Sequence, residues 1–227
     1  MKKRDLVLAS IAIILLILAI VWTILVANGL FDNFDKAVVN KIISIRGEKY
    51  NFLYWIVRII TEFAYIYFTI FFIIVILIIY HCDLKSIILA FGTLTQLLIN
   101  TIIKSCIKRP RPDQIYHWME EASASYPSGH SMTASFLYGF LIYIIIKSNI
   151  FKTKKIVFSV LSGLIPVLVG ISRIILSVHY TSDVIGGFLF GSVLVAVAIL
   201  ICELLSPKFN GLKPFIDRKL KGDKKND

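Results

Sequence analysis

Long apolar runs broken by short polar clusters set the layout of this chain. Six such runs stand out: Leu6–Ala27, Phe63–Tyr80, Ile87–Ile103, Met132–Ile146, Ile156–Ile171 and Val184–Leu205. A helix that crosses a bilayer needs about 20 apolar residues, and a buried core helix rarely needs so many. The pattern therefore predicts an all-α integral membrane protein, six transmembrane helices in one bundle. The first run follows Lys2, Lys3 and Arg4, as a secretory signal would. It is too long for a signal core, and Val26–Ala27–Asn28 is a poor cleavage site, so it is expected to stay as an anchor. Between the first two runs, Phe31, Phe34, Val38, Ile42 and Ile45 recur at helical spacing among charged residues. That predicts a short amphipathic helical segment in the first outer loop, within residues 31–60, either a lateral gate for lipid or a helix that only tucks its apolar side down.

Composition agrees with this layout. Of 227 residues, 57% are hydrophobic, and the mean hydropathy is +0.80. No repeat, low-complexity stretch or composition break divides the chain, so 1–227 is expected to be a single membrane-embedded domain ending in a basic tail, 213–227. The three cysteines, Cys82, Cys106 and Cys202, lack metal spacing and read as small apolar residues.

The net charge of +11 would suit nucleic acid, but its distribution does not. With the N-terminus inside, fifteen Lys and Arg fall on the inner side and five in the first outer loop; five more belong to the polar clusters described next. Basic residues accumulate on the cytoplasmic side of membrane proteins. Both termini are therefore expected in the cytoplasm, with no nucleic acid partner.

Three polar clusters interrupt the later runs. They are Lys104–Ser–Cys–Ile–Lys–Arg–Pro–Arg111–Pro112, then Pro127–Ser128–Gly129–His130, then Ser172–Arg173 with His179 and Asp183. The span count puts all three on one face. The third run ends at the first cluster, the fourth begins at the second, and two crossings bring the chain back to the third. By the charge bias that face is the extracellular or periplasmic one.

The side chains gathered there suit a phosphoryl group. Lys104, Arg111 and Arg173 supply three fixed cations for three non-bridging oxygens, and charge stabilisation with positioning is most of what phosphoryl transfer requires. Ser128 stands as a helix cap whose neighbouring N–H groups can face an anion, and Gly129 permits close backbone approach. His179 and Asp183, four apart, would share a helical face. The carboxylate would fix the imidazole tautomer and leave the other nitrogen as nucleophile. His130, from another span, could then protonate the departing oxygen. Three cations at one site would repel a divalent ion, so no metal and no cofactor is expected.

The three stretches, read as K-x6-R-P, P-S-G-H and S-R-x5-H-x3-D, resemble the signature of the type 2 phosphatidic acid phosphatase superfamily, with every position filled. The six-residue gap selects Arg111 over Arg109. The resemblance implies a phosphohistidine on His179, His130 as acid, Asp183 as support, and Lys104, Arg111, Ser128, Gly129 and Arg173 as the phosphate-binding set. It also implies a lipid phosphate from the bilayer as substrate, such as phosphatidylglycerophosphate, phosphatidic acid or undecaprenyl diphosphate. A non-catalytic anion or lipid transporter, a lipid-binding protein, and a lipid-A-type phosphatase or phosphotransferase are the alternatives. The loop 113–126, with His117, Trp118, Glu120 and Glu121, is expected to overhang the site, Trp118 as an interfacial anchor and the glutamates in undecided roles. Arg58 and Glu62 are expected to pair. The sequence does not speak to oligomeric state.

Overall fold

The computed structural model describes residues 3–81 and 83–222; Cys82 and the last five residues of the basic tail lie outside them. Among the described residues every regular element is helical: α1 (Lys3–Ala27), α2 (Asp32–Arg46), α3 (Phe52–Glu62), α4 (Ile66–Ile79), α5 (Leu84–Ile107), a 3-10 turn (Gln114–Tyr116), α6 (Gly129–Lys147), α7 (Lys152–Ile175) and α8 (Thr181–Gly222).

Among the described residues five helices are long and apolar enough to cross a membrane: α1, α5, α6, α7 and the Thr181–Pro207 part of α8. The second apolar run behaves differently from expectation. It does not form one helix from Phe63; α4 starts at Ile66, and its 14 residues reach about 21 Å at 1.5 Å per residue, short of a bilayer core of about 30 Å. α3 precedes it across a 44° bend. At that bend Ala64 and Tyr65 donate to Thr61 and Glu62 in tight turns, while the Tyr138 hydroxyl holds the Phe63 carbonyl at 2.9 Å. The sequence pattern hid this break because Phe63, Ala64 and Tyr65 are as apolar as their neighbours.

α6 is the axis of the bundle. It packs against α5, α7 and α8, and α1 packs against α8. Its side chains Phe136, Leu137, Phe140 and Ile144 are buried on this contact, whereas α1, α4 and α7 turn rows of Ile, Leu and Val outward. In water that outer face would be costly. Against hydrocarbon it costs nothing, and packing rather than burial then holds the helices together. Glycines set the closest approach. A Cβ at Gly187 would sit 2.7 Å from the Ser128 carbonyl, and one at Gly191 would sit 2.9 Å from the Met132 carbonyl. α8 thereby lies against the first turns of α6.

α2 forms where the periodicity placed a helix, but it turns an unexpected side inward. Phe34 and Ile45 are exposed, and the buried residues are Asp35, Val39 and Arg46. Trp118 departs further from expectation. It is buried against Tyr54 and Leu176, with the Arg46 guanidinium 4.4 Å above its ring, so it anchors the loop to protein rather than to an interface. Arg58 and Glu62 do pair, at 3.2 Å.

Candidate functional site

Four helix ends meet at one end of the bundle. α5 delivers Lys104 and runs out at Lys108, whose left-handed backbone (φ 49°) turns the chain into the Arg109–Pro112 stretch. α6 begins there, capped by Ser128, whose Oγ accepts from the Ser131 N–H at 3.4 Å. α7 ends with Ser172 and Arg173, and α8 starts with Asp183 in its first turn. The Ser128 N–H donates to the Asp183 carbonyl at 3.0 Å and so ties the second cluster to the third.

The three sequence clusters are thus brought together around one cavity of about 240 Å³, lined by Lys104, Arg111, Glu121, Gly129, His130 and His179 and continuing between α4, α5 and α6. Arg111 lies 3.2 Å from Nε2 of His179 and also donates to the Val178 carbonyl at 2.5 Å. Lys104 is held by the Ala124 carbonyl. Arg173 is fully buried and donates to Sδ of Met119 at 3.4 Å and to the Glu121 carboxylate. The Nε2 of His130 is buried and has no hydrogen-bond partner among the described residues.

His179 is not on a helical turn with Asp183, as the four-residue spacing suggested. It lies in the connection before α8, which starts at Thr181. The two still meet, Nδ1 standing 3.6 Å from the Asp183 carboxylate. That is an electrostatic contact longer than a hydrogen bond. Two groups absent from the sequence reasoning fix the carboxylate: the Tyr180 N–H donates to it at 2.9 Å, and so does the Ser125 hydroxyl. Ser125 Oγ also lies 3.5 Å from Nδ1.

A third group, Arg109, was the arginine the motif spacing set aside. It faces away from the cavity and bonds Asp183 at 2.7 Å and Asp35 at 2.8 Å, with Asp32 at 3.1 Å. Asp35 in turn accepts from the Ser182 N–H at 3.1 Å and from the Ser182 hydroxyl. The inward side of α2 is therefore an ionic clamp on the start of α8. No local signal could have found Asp35, because its partners lie 74 and 147 residues away.

Electrostatics separate the two arginines. Burial alone would lower the pKa of Arg109, but Asp183 and Asp35 more than offset it and hold it raised. Burial lowers that of Arg111, and the acids near it only partly restore it. For His179, burial and then the cations Arg111, Arg173 and Lys104 push the pKa well below the ordinary histidine value. The imidazole is thus kept neutral, with Nε2 toward the cavity. Such an arrangement can bind a dianion, present a neutral nitrogen to it, and offer a second imidazole nearby. Among the described residues no group of three or more His, Cys, Asp or Glu side chains is arranged to hold a metal ion.

Glu121 is the remaining finding. Its carboxylate bridges Arg111, at 3.4 Å, and Arg173, so one protein anion occupies part of the cationic cradle. The sequence placed it in the overhanging loop without a role.

A bundle of apolar helices with two histidines and three cations at one end defines a class of membrane protein, and comparison gives that class its name. Residues 85–207 match the family model of the PAP2 superfamily. The chain belongs to the PAP2 superfamily. It is 45% identical over 108 residues to phosphatidylglycerophosphatase B of Bacillus subtilis, covering 47% of this chain and 51% of that protein. It is 30% identical over 121 residues to a lipid A 1-phosphatase of Rhizobium johnstonii, covering 48% of this chain and 45% of that one. These matches span about half the length of the curated relatives. Among solved structures, a transmembrane PAP2-type phosphatidylglycerolphosphate phosphatase from Bacillus subtilis superposes with a TM-score of 0.78 at 29% identity, over 86% of this chain and 96% of that one. Aquifex aeolicus LpxE shares the fold, with a TM-score of 0.60 at 18% identity over 73% of this chain and 94% of that one. With its long apolar helices, the chain is a multi-pass membrane protein.

Proposed function

We propose that the protein is a lipid phosphatase that hydrolyses the phosphate monoester of a membrane lipid through a phosphohistidine, without a metal. The observation that carries this reading is the paired placement of His179 and His130 on one cavity with Lys104 and Arg111. In the first step the Nε2 lone pair of His179 attacks phosphorus, the bond to the lipid oxygen breaks, and His130 gives that oxygen a proton. In the second, His130 takes a proton from water, the water oxygen attacks phosphorus, and the P–N bond breaks to release inorganic phosphate. Lys104, Arg111, Arg173, the backbone at Gly129 and the Ser128 cap hold the phosphoryl oxygens, and Asp183 supports the His179 imidazolium. The names of the relatives favour phosphatidylglycerophosphate, with a lipid A phosphate and phosphatidic acid as further substrates to test.

In the same reading the bent pair α3–α4 completes a sixth span, the whole chain is one domain with its motif region at 104–183, and both termini are cytoplasmic. The site then faces the extracellular or periplasmic side, beside α2. Fifteen basic residues on the inner side against five in the first outer loop support that orientation.

The test is phosphate release from phosphatidylglycerophosphate by purified protein in detergent containing EDTA. Full turnover is expected. Loss of turnover in EDTA with recovery on adding a divalent ion would refute the metal-free mechanism.

A further inference from the structure

The cavity does not end at the histidines. Below them it continues between α4, α5 and α6 along a seam of neutral polar side chains, among them Thr69, Gln96, Asn100 and Thr133. Polar groups at such a depth are costly unless bonded, because hydrocarbon offers them no partner. Most of these have one. The Thr93 hydroxyl donates to the Leu89 carbonyl at 2.9 Å, Asn100 Nδ2 to the Pro127 carbonyl at 3.3 Å, and the Thr133 hydroxyl to Gln96 Oε1 at 3.0 Å.

Two are left over. Gln96 is fully buried and Thr69 is 1% exposed. Yet Gln96 Nε2 and Thr69 Oγ1 have no hydrogen-bond partner among the described residues. Both residues line the cavity. Because Thr133 fixes the carbonyl end of the Gln96 amide, its NH2 end is left as a donor without an acceptor. Buried polar atoms in native structures are ordinarily satisfied, so an orphan donor on a cavity wall marks where a ligand acceptor goes.

The position sets the ligand's length. Thr133 lies three residues beyond His130 on α6, so the Gln96 amide sits about 4.5 Å deeper than that histidine along the helix axis. Its charge sets the ligand's kind. Every side chain below His130 on this wall is neutral. A second phosphate joined directly to the leaving oxygen, as in a diphosphate and unlike the phosphodiester set off by a glycerol, would be a buried anion facing only amide and hydroxyl donors, which do not repay its desolvation.

We infer that Gln96 and Thr69 form a subsite for a neutral oxygen carried a few bonds beyond the leaving oxygen of the substrate. This selects glycerolipid phosphate monoesters over isoprenyl diphosphates. The inference rests on the lipid phosphatase reading and names its substrate class. Either an ester carbonyl of a diacylglycerol or a hydroxyl of a leaving glycerol supplies that oxygen, and both are neutral acceptors.

The test uses purified full-length protein, its Gln96→Leu and Thr69→Val variants, and five substrates in mixed micelles. These are phosphatidylglycerophosphate, diacyl phosphatidate, dialkyl-ether phosphatidate, farnesyl diphosphate and dodecyl phosphate, the last lacking any further oxygen. The readout is kcat/KM for each lipid relative to dodecyl phosphate. In the wild type the glycerolipids are expected to exceed dodecyl phosphate, and farnesyl diphosphate is not. Gln96→Leu should lower the glycerolipid ratio about tenfold and Thr69→Val severalfold, since a site built to bond an oxygen discriminates strongly by that bond. A drop confined to diacyl over dialkyl phosphatidate assigns the carbonyl, and one confined to phosphatidylglycerophosphate assigns the hydroxyl. Unchanged ratios in both variants, or a wild type that prefers farnesyl diphosphate, would overturn the subsite while leaving the phosphatase reading intact. Thr69→Val is nearly isosteric and deletes only an unbonded hydroxyl, so it remains informative if Gln96→Leu fails to fold. A wild type that releases phosphate from none of the five would instead remove the phosphatase reading itself, and the subsite with it.

Discussion

The two sides of His179 are built on opposite principles. Behind it, Asp183, Asp35 and Asp32 share the single guanidinium of Arg109, helped by Ser125 and Ser182. In front of it, Lys104, Arg111 and Arg173 face one carboxylate, that of Glu121. The rear has more acid than base, but its buried carboxylates, Asp35 and Asp183, are bonded within the protein while Asp32 stands half-exposed. The front has more base than acid, a surplus of two positive charges that matches the two negative charges of a phosphate monoester. A buried charge network fully satisfied within the protein gives rigidity; one left unbalanced toward a cavity gives affinity for whatever completes it. Arg109 and Arg111, two residues apart on a proline-stiffened stretch, are the clearest case. One is structural and the other faces the cavity.

If the contrast is real, its two halves should fail differently. The largest effect is expected behind the imidazole. Arg109→Met leaves Asp35 and Asp183 buried without their cation, which costs about 3 to 5 kcal/mol of stability. Thermal unfolding in detergent should show a large drop in midpoint, and a stable but inactive Arg109→Met protein would break the distinction. In front, Arg111→Ala should fold normally and lose about 100- to 1,000-fold in kcat/KM, as when one preorganised donor is removed from a reacting centre. Smaller again is a shift in pH dependence. Arg111 is one of the cations that hold the His179 pKa down, so in Arg111→Gln that pKa rises toward its ordinary value of about 6.5. The protonated imidazole cannot attack, so the acid limb of the kcat/KM profile should move to higher pH. An unmoved limb would mean that burial alone keeps His179 neutral. The smallest effect belongs to Glu121→Gln. Removing the competing carboxylate frees the cradle, and inorganic phosphate should inhibit about threefold more tightly.

The sequence carried one side of this contrast far better than the other. Motif spacing brought forward Lys104, Arg111, Ser128, His130, Arg173, His179 and Asp183, and the parity of crossings put them on one face, because the bilayer allows a chain few ways to return. Asp35 and Ser125 were invisible, since a pair 74 residues apart leaves no periodic trace. Gln96 and Asn100 were invisible for another reason: each sits singly in an apolar run, where hydropathy averages it away. The α3–α4 bend escaped because the pattern records polarity rather than direction. α2 shows a half-success, for its helical period was legible but its inward face was not. An amphipathic pattern locates the apolar side, and here the protein buries the acidic one.

The central claim is that His179 carries the phosphoryl group while its two flanks perform these separate tasks. It is tested most directly by mixing the protein with lipid labelled in its terminal phosphate, quenching within one turnover under alkaline denaturing conditions, and mapping the label by mass spectrometry. The account predicts an acid-labile phosphoryl group on the peptide containing His179 in the wild type, and none in His179→Ala. Label on another residue, or phosphate release at the wild-type rate by His179→Ala, would contradict it.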